Sequence, residues 1–293
     1  GATSLASVSF PESLTSIGDS AFSGATSLAS VSFPESLTSI GDSAFSGATS
    51  LASVSFQEGL TSIGKRAFHN TLLTEADVAL PASLGEEKRH WSYYNCIGYT
   101  DLVLPEGTTS INFRRDLDFD FRNCYSLLSV ALPSSLTSID SNAFNGATSL
   151  VSVSFSEGLT SIGRGAFRGA TSLASLSFPK SLTSIDYYAF EGATSLASVS
   201  FPESLTSISI RDYAFEGATS LASVSFSEGL ISIGFKAFYG ATSLVSVSFP
   251  KSLTSIDAYA FYNATSLAAV SFPKSLTSLG HRAFYGATSL VSV

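Results

Sequence analysis

The strongest constraint on this chain is a 23-residue unit that recurs through most of its 293 residues. One copy, residues 28–50, reads LASVSFPESLTSIGDSAFSGATS. The unit begins at Leu5, Leu28, Leu51, Leu127, Leu150, Leu173, Leu196, Leu221, Leu244, Leu267 and Leu290, with a two-residue insertion before Leu221. A unit this short cannot bury its own apolar side chains, so neighbouring units must stack and share one core.

Each position in the unit has a physical role. The spacing of Leu28, Val31 and Phe33 indicates a strand whose apolar side chains point inward while the alternate serines point outward. Two more apolar pairs follow in each unit, so the core is supplied from three sides of every coil. In this copy they are Leu37 with Ile40 and Ala44 with Phe45.

Proline, glycine and phenylalanine also keep fixed positions. All nine prolines directly follow the strand, where a missing N–H ends the ladder. Glycine alternates with asparagine at the position of Gly47, which indicates a left-handed backbone. Of the 23 phenylalanines, all but Phe113, Phe119 and Phe235 occupy the positions of Phe33 or Phe45. This regularity favours a stacked aromatic core over a cofactor pocket.

The sequence therefore predicts a single repeat solenoid over residues 1–293, with about twelve coils. We expect a parallel sheet with one main strand per coil, a second short extended segment, and short helical or 3-10 turns. Residues 70–126 are irregular, with degenerate units starting near Glu75 and Tyr99. Both ends fall within units that lack polar caps, so we expect a segment of a longer protein or ends that are covered.

The combined pattern SLTSI-G-x-x-AF-x-(G/N)-(A/C)-TSL-x-x-V-x-F-P resembles the BspA-like leucine-rich repeat family over almost the whole chain. This resemblance implies a parallel-stranded solenoid of a kind common in microbial and protist surface proteins that engage host or matrix proteins. It therefore favours an extracellular or cell-surface location and a protein partner. The chain departs from the family where most units have alanine instead of cysteine after the Gly/Asn position.

Composition excludes several classes of function. A net charge of −8 and a pI near 4.8 argue against nucleic-acid binding. No apolar run is long enough to span a membrane. The three histidines lie on separate coils, and no catalytic or phosphate-binding motif occurs. We therefore expect no enzyme activity, no cofactor and no metal site.

Cys96 and Cys124 occupy the same position in consecutive coils, so they should stack. They are either two buried thiols or a disulfide that clamps the irregular coils. A separate feature is the sequon Asn263-Ala264-Thr265, whose asparagine lies on an expected turn and is a possible glycosylation site.

The irregular coils contain the first candidate binding residues. Trp91 ends a charged interruption and is followed by Tyr93 and Tyr94, and Arg114 and Arg115 lie in residues 112–121, which contain a five-residue insertion. Alternating aspartates in this insertion suggest a calcium loop, but the required glycine and late glutamate are missing. The remaining interpretations are a solvated loop of Asp–Arg pairs and a protrusion that contacts a partner.

A second candidate surface lies beside the Ala-Phe pair in the C-terminal half. Early units carry Asp and Ser there, whereas later units carry aromatic residues with scattered Lys and Arg. Tyrosine and arginine are enriched in binding hot spots, although tyrosines can also simply pack over exposed turns. The candidates, all expected to be outward or half-buried, are Tyr187, Tyr188, Tyr213, Phe235, Tyr239, Tyr259, Tyr262 and Tyr285.

The outward serines of the strands form two uniform hydroxyl rows. The bland interpretation is recent duplication of small solvated residues, and the alternative is contact with a second flat surface such as a polysaccharide or ice. Taken together, the sequence favours a non-catalytic protein-binding module for recognition or adhesion. The main alternative is a structural or scaffold subunit of a larger assembly.

Overall fold

The computed structural model describes residues 2–73, 80–87, 100–104, 106–111, 121–122, 124, 126–201 and 208–292. The chain forms two compact units, Gly1–Thr100 with Asp116–Leu127, and Asp101–Arg115 with Leu128–Val293. Both are built from parallel-strand β-solenoid coils, about ten turns in all. The sequence suggested about twelve, and the two degenerate coils fall largely outside the described residues.

The first unit contains two small parallel sheets. A three-stranded sheet has the order β1-β3-β5, and a two-stranded sheet pairs β2 with β4. A 3-10 helix at Ala82–Glu87 follows them. The strands are β1 (Ser16–Ile17), β2 (Ser30–Ser32), β3 (Ser39–Ile40), β4 (Ser53–Ser55) and β5 (Ser62–Ile63).

The second unit contains the remaining strands. They are β6 (Asp101–Val103), β7 (Ser110–Ile111), β8 (Ser129–Ala131), β9 (Ser138–Ile139), β10 (Ser152–Ser154), β11 (Ser161–Ile162), β12 (Ser175–Ser177), β13 (Ser184–Ile185), β14 (Ser198–Ser200), β15 (Ile208–Ile210), β16 (Ser223–Ser225), β17 (Leu230–Ile233), β18 (Ser246–Ser248), β19 (Ser255–Ile256), β20 (Ala269–Ser271) and β21 (Ser278–Leu279). The main strands form sheets ordered β10-β8-β6 and β12-β14-β16-β18-β20. The second strands form one eight-stranded sheet from β21 to β7.

Strand register follows the sequence repeat. Val31 pairs with Val54, which is 23 residues later in the chain. The two insertions appear as longer offsets at the same positions: Ile185 pairs with Ile210, and Ile111 pairs with Ile139. In the main strands the central residue points inward and the flanking serines are mostly exposed, as predicted. Loops absorb the insertions, so the core positions remain aligned.

The third side of each described coil consists of short turns that are not continued into helices. Its N–H groups alternate between two kinds of acceptor. The Phe22 N–H donates to the Ala44 carbonyl of the next coil, whereas the Ser23 N–H donates to the Ser20 carbonyl within its own coil. A helix needs every N–H for bonds within its own segment. In the described residues, the only 3-10 helix is Ala82–Glu87.

The predicted glycine position is left-handed. Eight glycines there have φ between 72° and 81°, and Asn263 has φ of 59°. Each coil whose turns the structure describes also has a second left-handed position, two residues before the phenylalanine of the Ala-Phe pair, that the repeat pattern did not reveal. It is occupied by Ser20, Ser43, Arg66, Asn142, Gly165, Tyr188, Tyr213, Lys236, Tyr259 and Arg282, all with φ between 54° and 61°.

Two phenylalanine ladders fill the core. Phe167 and Phe190 are fully buried and stack with ring centroids 5.3 Å apart and planes 2° apart. Phe178, on the strand side, meets Phe190 at a tilted angle, with ring centroids 5.9 Å apart. The two ladders therefore interlock across each coil, as the positions of the phenylalanines predicted.

Threonine hydroxyls add a further ladder that links the coils. The Thr183 hydroxyl donates to the Thr160 carbonyl at 3.0 Å, and the Thr160 hydroxyl donates to the Thr137 carbonyl at 2.9 Å. Thr171 and Thr148 repeat this arrangement at another corner of the coil. Much of the Ser and Thr content therefore satisfies backbone carbonyls between coils.

Candidate functional site

The second left-handed position carries large side chains in the later coils of the second unit. Tyr188, Tyr213 and Tyr259 have φ of 60°, 61° and 58°. This conformation costs a residue with a Cβ roughly 1–2 kcal/mol, and for a bulky residue it is a genuine outlier. Glycine or asparagine would relieve the strain, as Gly165 and Asn142 do in earlier coils. These tyrosines therefore occupy positions that backbone stability alone would assign to smaller residues.

The aromatic side chains beside this position touch one another across the coils. Tyr188 stacks on Tyr213 with ring centroids 4.6 Å apart. Phe235 meets Tyr213 edge-on at 5.3 Å and Tyr259 edge-on at 5.7 Å. These contacts bring predicted candidates from consecutive coils into one continuous row.

A second row lies one residue beyond the buried phenylalanine. Tyr239 and Tyr262 stack with centroids 4.9 Å apart and planes 1° apart, and Tyr285 continues the stack at 5.2 Å. The Tyr259 and Tyr262 rings are 5.6 Å apart and connect this row to the first. We call the two rows together the aromatic ladder, comprising Tyr188, Tyr213, Phe235, Tyr259, Tyr239, Tyr262 and Tyr285.

Basic side chains lie over the rings of the ladder. The Lys236 ammonium is 4.9 Å from the centroid of Tyr239 and 5.5 Å from that of Tyr213. The Arg282 guanidinium is 5.3 Å from the centroid of Tyr285. Such cation–π contacts hold the cations near the surface, and Lys236 also lies 3.9 Å from the Glu216 carboxylate.

Partial burial changes the pKa values of polar groups around the first row. Burial raises the pKa of the Tyr213 hydroxyl, and the neighbouring Tyr188 raises it further. Burial likewise raises the pKa of the Glu216 carboxyl, against the lowering effect of Lys236, whose ammonium is 3.9 Å away.

The expectation that these positions are outward or half-buried is confirmed. Tyr187 is 36% exposed and Tyr285 is 57% exposed, and the other candidate aromatic residues of the C-terminal half are half-buried. Tyr187 lies outside the ladder, where its ring faces the Arg211 guanidinium at 5.6 Å. The half-burial shows that packing and exposure occur together in these rings.

The other sequence-derived candidates are only partly placed. Cys124 is buried and disulfide-bonded, whereas its expected partner Cys96 lies outside the described residues, so their pairing stays a prediction. Asn263 is half-buried on its left-handed turn. The candidates of the irregular coils that also lie outside the described residues are Trp91, Tyr93, Tyr94, Arg114 and Arg115.

Other kinds of site find no support in the described part of the chain. No group of three or more His, Cys, Asp and Glu residues there could hold a metal ion. Nor does that part contain a helix with the length and apolarity needed to cross a bilayer. The outward serines of the five-stranded sheet are mostly exposed and lie in rows along its outer face.

This fold defines a class of repeat solenoid whose function lies on its surface. The chain belongs to the BspA type leucine-rich repeat family, since the family model matches residues 1–90, 86–209 and 208–293 in six copies. No curated protein matches the chain.

Solved structures of bacterial leucine-rich repeat proteins share the fold. A leucine-rich repeat protein from Bacteroides ovatus is 23% identical, with a TM-score of 0.55, over 94% of this chain and 81% of that one. A leucine-rich cell surface protein from Faecalibacterium prausnitzii is 27% identical, with a TM-score of 0.54, over 95% and 82% of the two chains.

Proposed function

We propose that this chain is a non-catalytic protein-binding module, used in recognition or adhesion, and that the aromatic ladder is its binding surface. One observation carries this proposal: seven partly exposed aromatic rings from consecutive coils contact one another, with cations held over them. Tyrosine and basic side chains in such an arrangement are what protein-binding hot spots use.

The stacking also lowers the cost of binding. A mobile surface tyrosine loses side-chain conformational entropy when a partner binds to it. Tyr239 and Tyr262 already restrict each other's rotamers by stacking, so less entropy is lost on binding. Three tyrosines are also kept in strained left-handed positions. The repeat imposes this conformation on the other described coils as well. These coils differ in carrying tyrosine in place of the glycine or asparagine of earlier coils, a cost in stability that favours a role in binding.

A cell-surface location fits this function. The family and the named cell surface protein of Faecalibacterium prausnitzii support it.

The direct test removes three rings and measures binding. The variant Tyr239→Ser/Tyr259→Ser/Tyr262→Ser should lose affinity for peptides selected on the wild-type chain from a phage-displayed library of random peptides. We expect a loss of at least about 100-fold, because hot-spot truncations typically cost 2 kcal/mol or more. Isothermal titration calorimetry with the best selected peptide measures the change.

A matched control changes three side chains on the strand face. Ser177, Ser200 and Ser225 are exposed, and their joint replacement by Ala should leave peptide binding unchanged. Circular dichroism should show that both variants are folded at 25 °C. Equal peptide affinity for the wild type and the tyrosine variant would refute the ladder as the binding surface.

The scaffold alternative rests on the rows of outward serines. Repeated exposed hydroxyls suit contact with a flat surface, such as a second solenoid or a polysaccharide, better than recognition of a single protein epitope. Loss of binding in the serine variant, with binding kept in the tyrosine variant, would favour this alternative.

A further inference from the structure

The first row of the ladder has a gap at one end. In successive coils its left-handed position holds Asn142, Gly165, Tyr188 and Tyr213. Tyr213 stacks on one face of Tyr188. The coil before Tyr188 offers no ring, because glycine stands where a side chain would continue the stack. Among the described residues, Tyr188 therefore has a stacking ring on one side only.

This gap is a recess in the surface. Asn142, Arg164, Gly165, Arg168 and Tyr188 line an open space of about 200 Å³. A cavity of roughly 150 Å³ is large enough to hold benzene. The recess therefore has room for one aromatic ring lying against Tyr188.

Two guanidinium groups lie over the Tyr188 ring at the recess. The Arg164 and Arg168 guanidinium carbons lie 5.3 Å and 5.7 Å from the centroid of Tyr188. Arg168 is held in place by Glu191, with Nε 2.8 Å from Oε2 and Nη2 donating to Oε1 at 3.2 Å. Arg164 is exposed and forms no ion pair with the described residues. The recess thus keeps a net positive charge in a chain of net charge −8.

We propose that this recess binds a tyrosine of the partner protein whose ring carries an anionic ester group, such as a phosphate. The ring would lie over Gly165 against Tyr188 and extend the stack by one coil, at a spacing like the 4.6 Å between Tyr188 and Tyr213. The two guanidinium groups that now lie over Tyr188 would move to the edge of the added ring. The anionic group would meet Arg164 and Arg168, since guanidinium groups bind such oxygens by paired hydrogen bonds. This inference rests on the proposed protein-binding function and names the chemistry that one end of the ladder recognises.

The test uses three short peptides that differ at one residue. The sequence Gly-Gly-X-Gly-Gly, with blocked ends, carries phosphotyrosine, tyrosine or phosphoserine at X. Calorimetry on the full chain should show phosphotyrosine binding at least about tenfold tighter than either comparator, because ring and anion each contribute. Equal binding of phosphotyrosine and phosphoserine would overturn the role of the ring. Equal binding of phosphotyrosine and tyrosine would overturn the role of the anion.

The fold supplies a variant that fills the recess. Gly165→Tyr places a ring where Tyr188 and Tyr213 carry one, at a similar φ of 59°. Gly165→Ala is the matched control. Either Cβ would lie 2.8 Å from the Asn142 amide oxygen, and that side chain must shift in both variants. We expect Gly165→Tyr to weaken phosphotyrosine binding at least about tenfold and Gly165→Ala to leave most of it.

Arg164→Gln removes the unpaired charge and should weaken phosphotyrosine binding about tenfold without changing tyrosine binding. Unchanged phosphotyrosine affinity in both Gly165→Tyr and Arg164→Gln would overturn the site. Such a result would leave the broader function standing if the Tyr239/Tyr259/Tyr262 variant still loses its library-selected peptides. If the triple variant keeps those peptides, the proposed function itself fails.

Discussion

The same coils carry two stacks of aromatic rings, one inside the solenoid and one on its surface. Phe190 and Phe215 stack at 5.2 Å, and two residues earlier in each coil Tyr188 and Tyr213 stack at 4.6 Å. The phenylalanines are fully buried and the tyrosines are half-buried. Aromatic rings at the same position of consecutive coils therefore stack whether they are buried or exposed. The buried stack stabilises the fold, whereas the partly exposed stack remains available to a partner.

The two stacks also differ in backbone cost. Of the surface rings, Tyr188, Tyr213 and Tyr259 occupy left-handed positions, whereas the second row at Tyr239 and Tyr262 and the buried phenylalanines are absent from the residues with positive φ. The inner stack therefore stabilises the fold through burial without backbone strain. In the outer stack, the backbone strain at the left-handed positions offsets part of the stabilisation that the ring contacts provide. We expect mutations in the two stacks to affect stability very differently.

The largest expected effect is in the inner stack. Phe190→Ala should lower the free energy of unfolding by about 3–5 kcal/mol, because a fully buried ring is removed and a cavity remains. Since each coil contacts mainly its neighbours, the loss should be local and should uncouple the coils on either side. Urea unfolding measures the total loss, and amide hydrogen exchange measures its spread.

The matched change in the outer stack is Tyr262→Ala, which removes contacts with Tyr239 and Tyr285. Its cost should be about 1–2 kcal/mol, because each aromatic pair contributes roughly 0.5–1.5 kcal/mol and the ring is half-exposed. Equal losses in the two variants would contradict the division between a stabilising and an available stack.

A second prediction uses one position of the repeat in the two units. His69 directly follows the buried Phe68, as Tyr239 follows Phe238, but His69 is only 5% exposed. Burial, and after it the charge of Arg66, lowers the pKa of His69 from 6.5 to about 4. Its Nδ1 has no hydrogen-bond partner in the described structure. This position therefore holds a buried neutral histidine in one unit and a surface ring in the other.

The pKa of His69 is lower in the folded chain, so the unfolded chain takes up the proton first as pH falls. The stability is fully present above about pH 6.5 and decreases toward pH 4, by roughly 3 kcal/mol in total. His69→Gln should remove this dependence. Urea unfolding of both chains at pH 7 and pH 4.5 measures the difference. Identical losses on acidification would show that His69 is not responsible.

The repeat made most of the fold predictable, because positions such as Val31 and Phe45 recur with one physical role. The pattern could not reveal the second left-handed position, since residues as different as Ser20, Arg66 and Tyr188 occupy it and no shared residue type marks it. Without that position the tyrosines could be placed near the surface but not in contact. The Gly165 recess was hidden for the opposite reason, because one more glycine in a glycine-rich repeat carries no signal.

The smallest expected effect on stability separates binding from folding most sharply. Tyr259→Asn loses the ring contacts with Phe235 and Tyr262 but places at φ of 58° a residue that tolerates that conformation. Because the two contributions have opposite signs and each amounts to roughly 1 kcal/mol, the free energy of unfolding should change by less than about 1 kcal/mol. Affinity for a ladder-selected peptide should fall by about tenfold or more.

Tyr259→Gly relieves the strain with no side chain, so it checks that ring loss, and not the asparagine amide, reduces binding. A large loss of stability in Tyr259→Asn would mean that the outer ring is held for folding, and the distinction between the two stacks would fail at this coil.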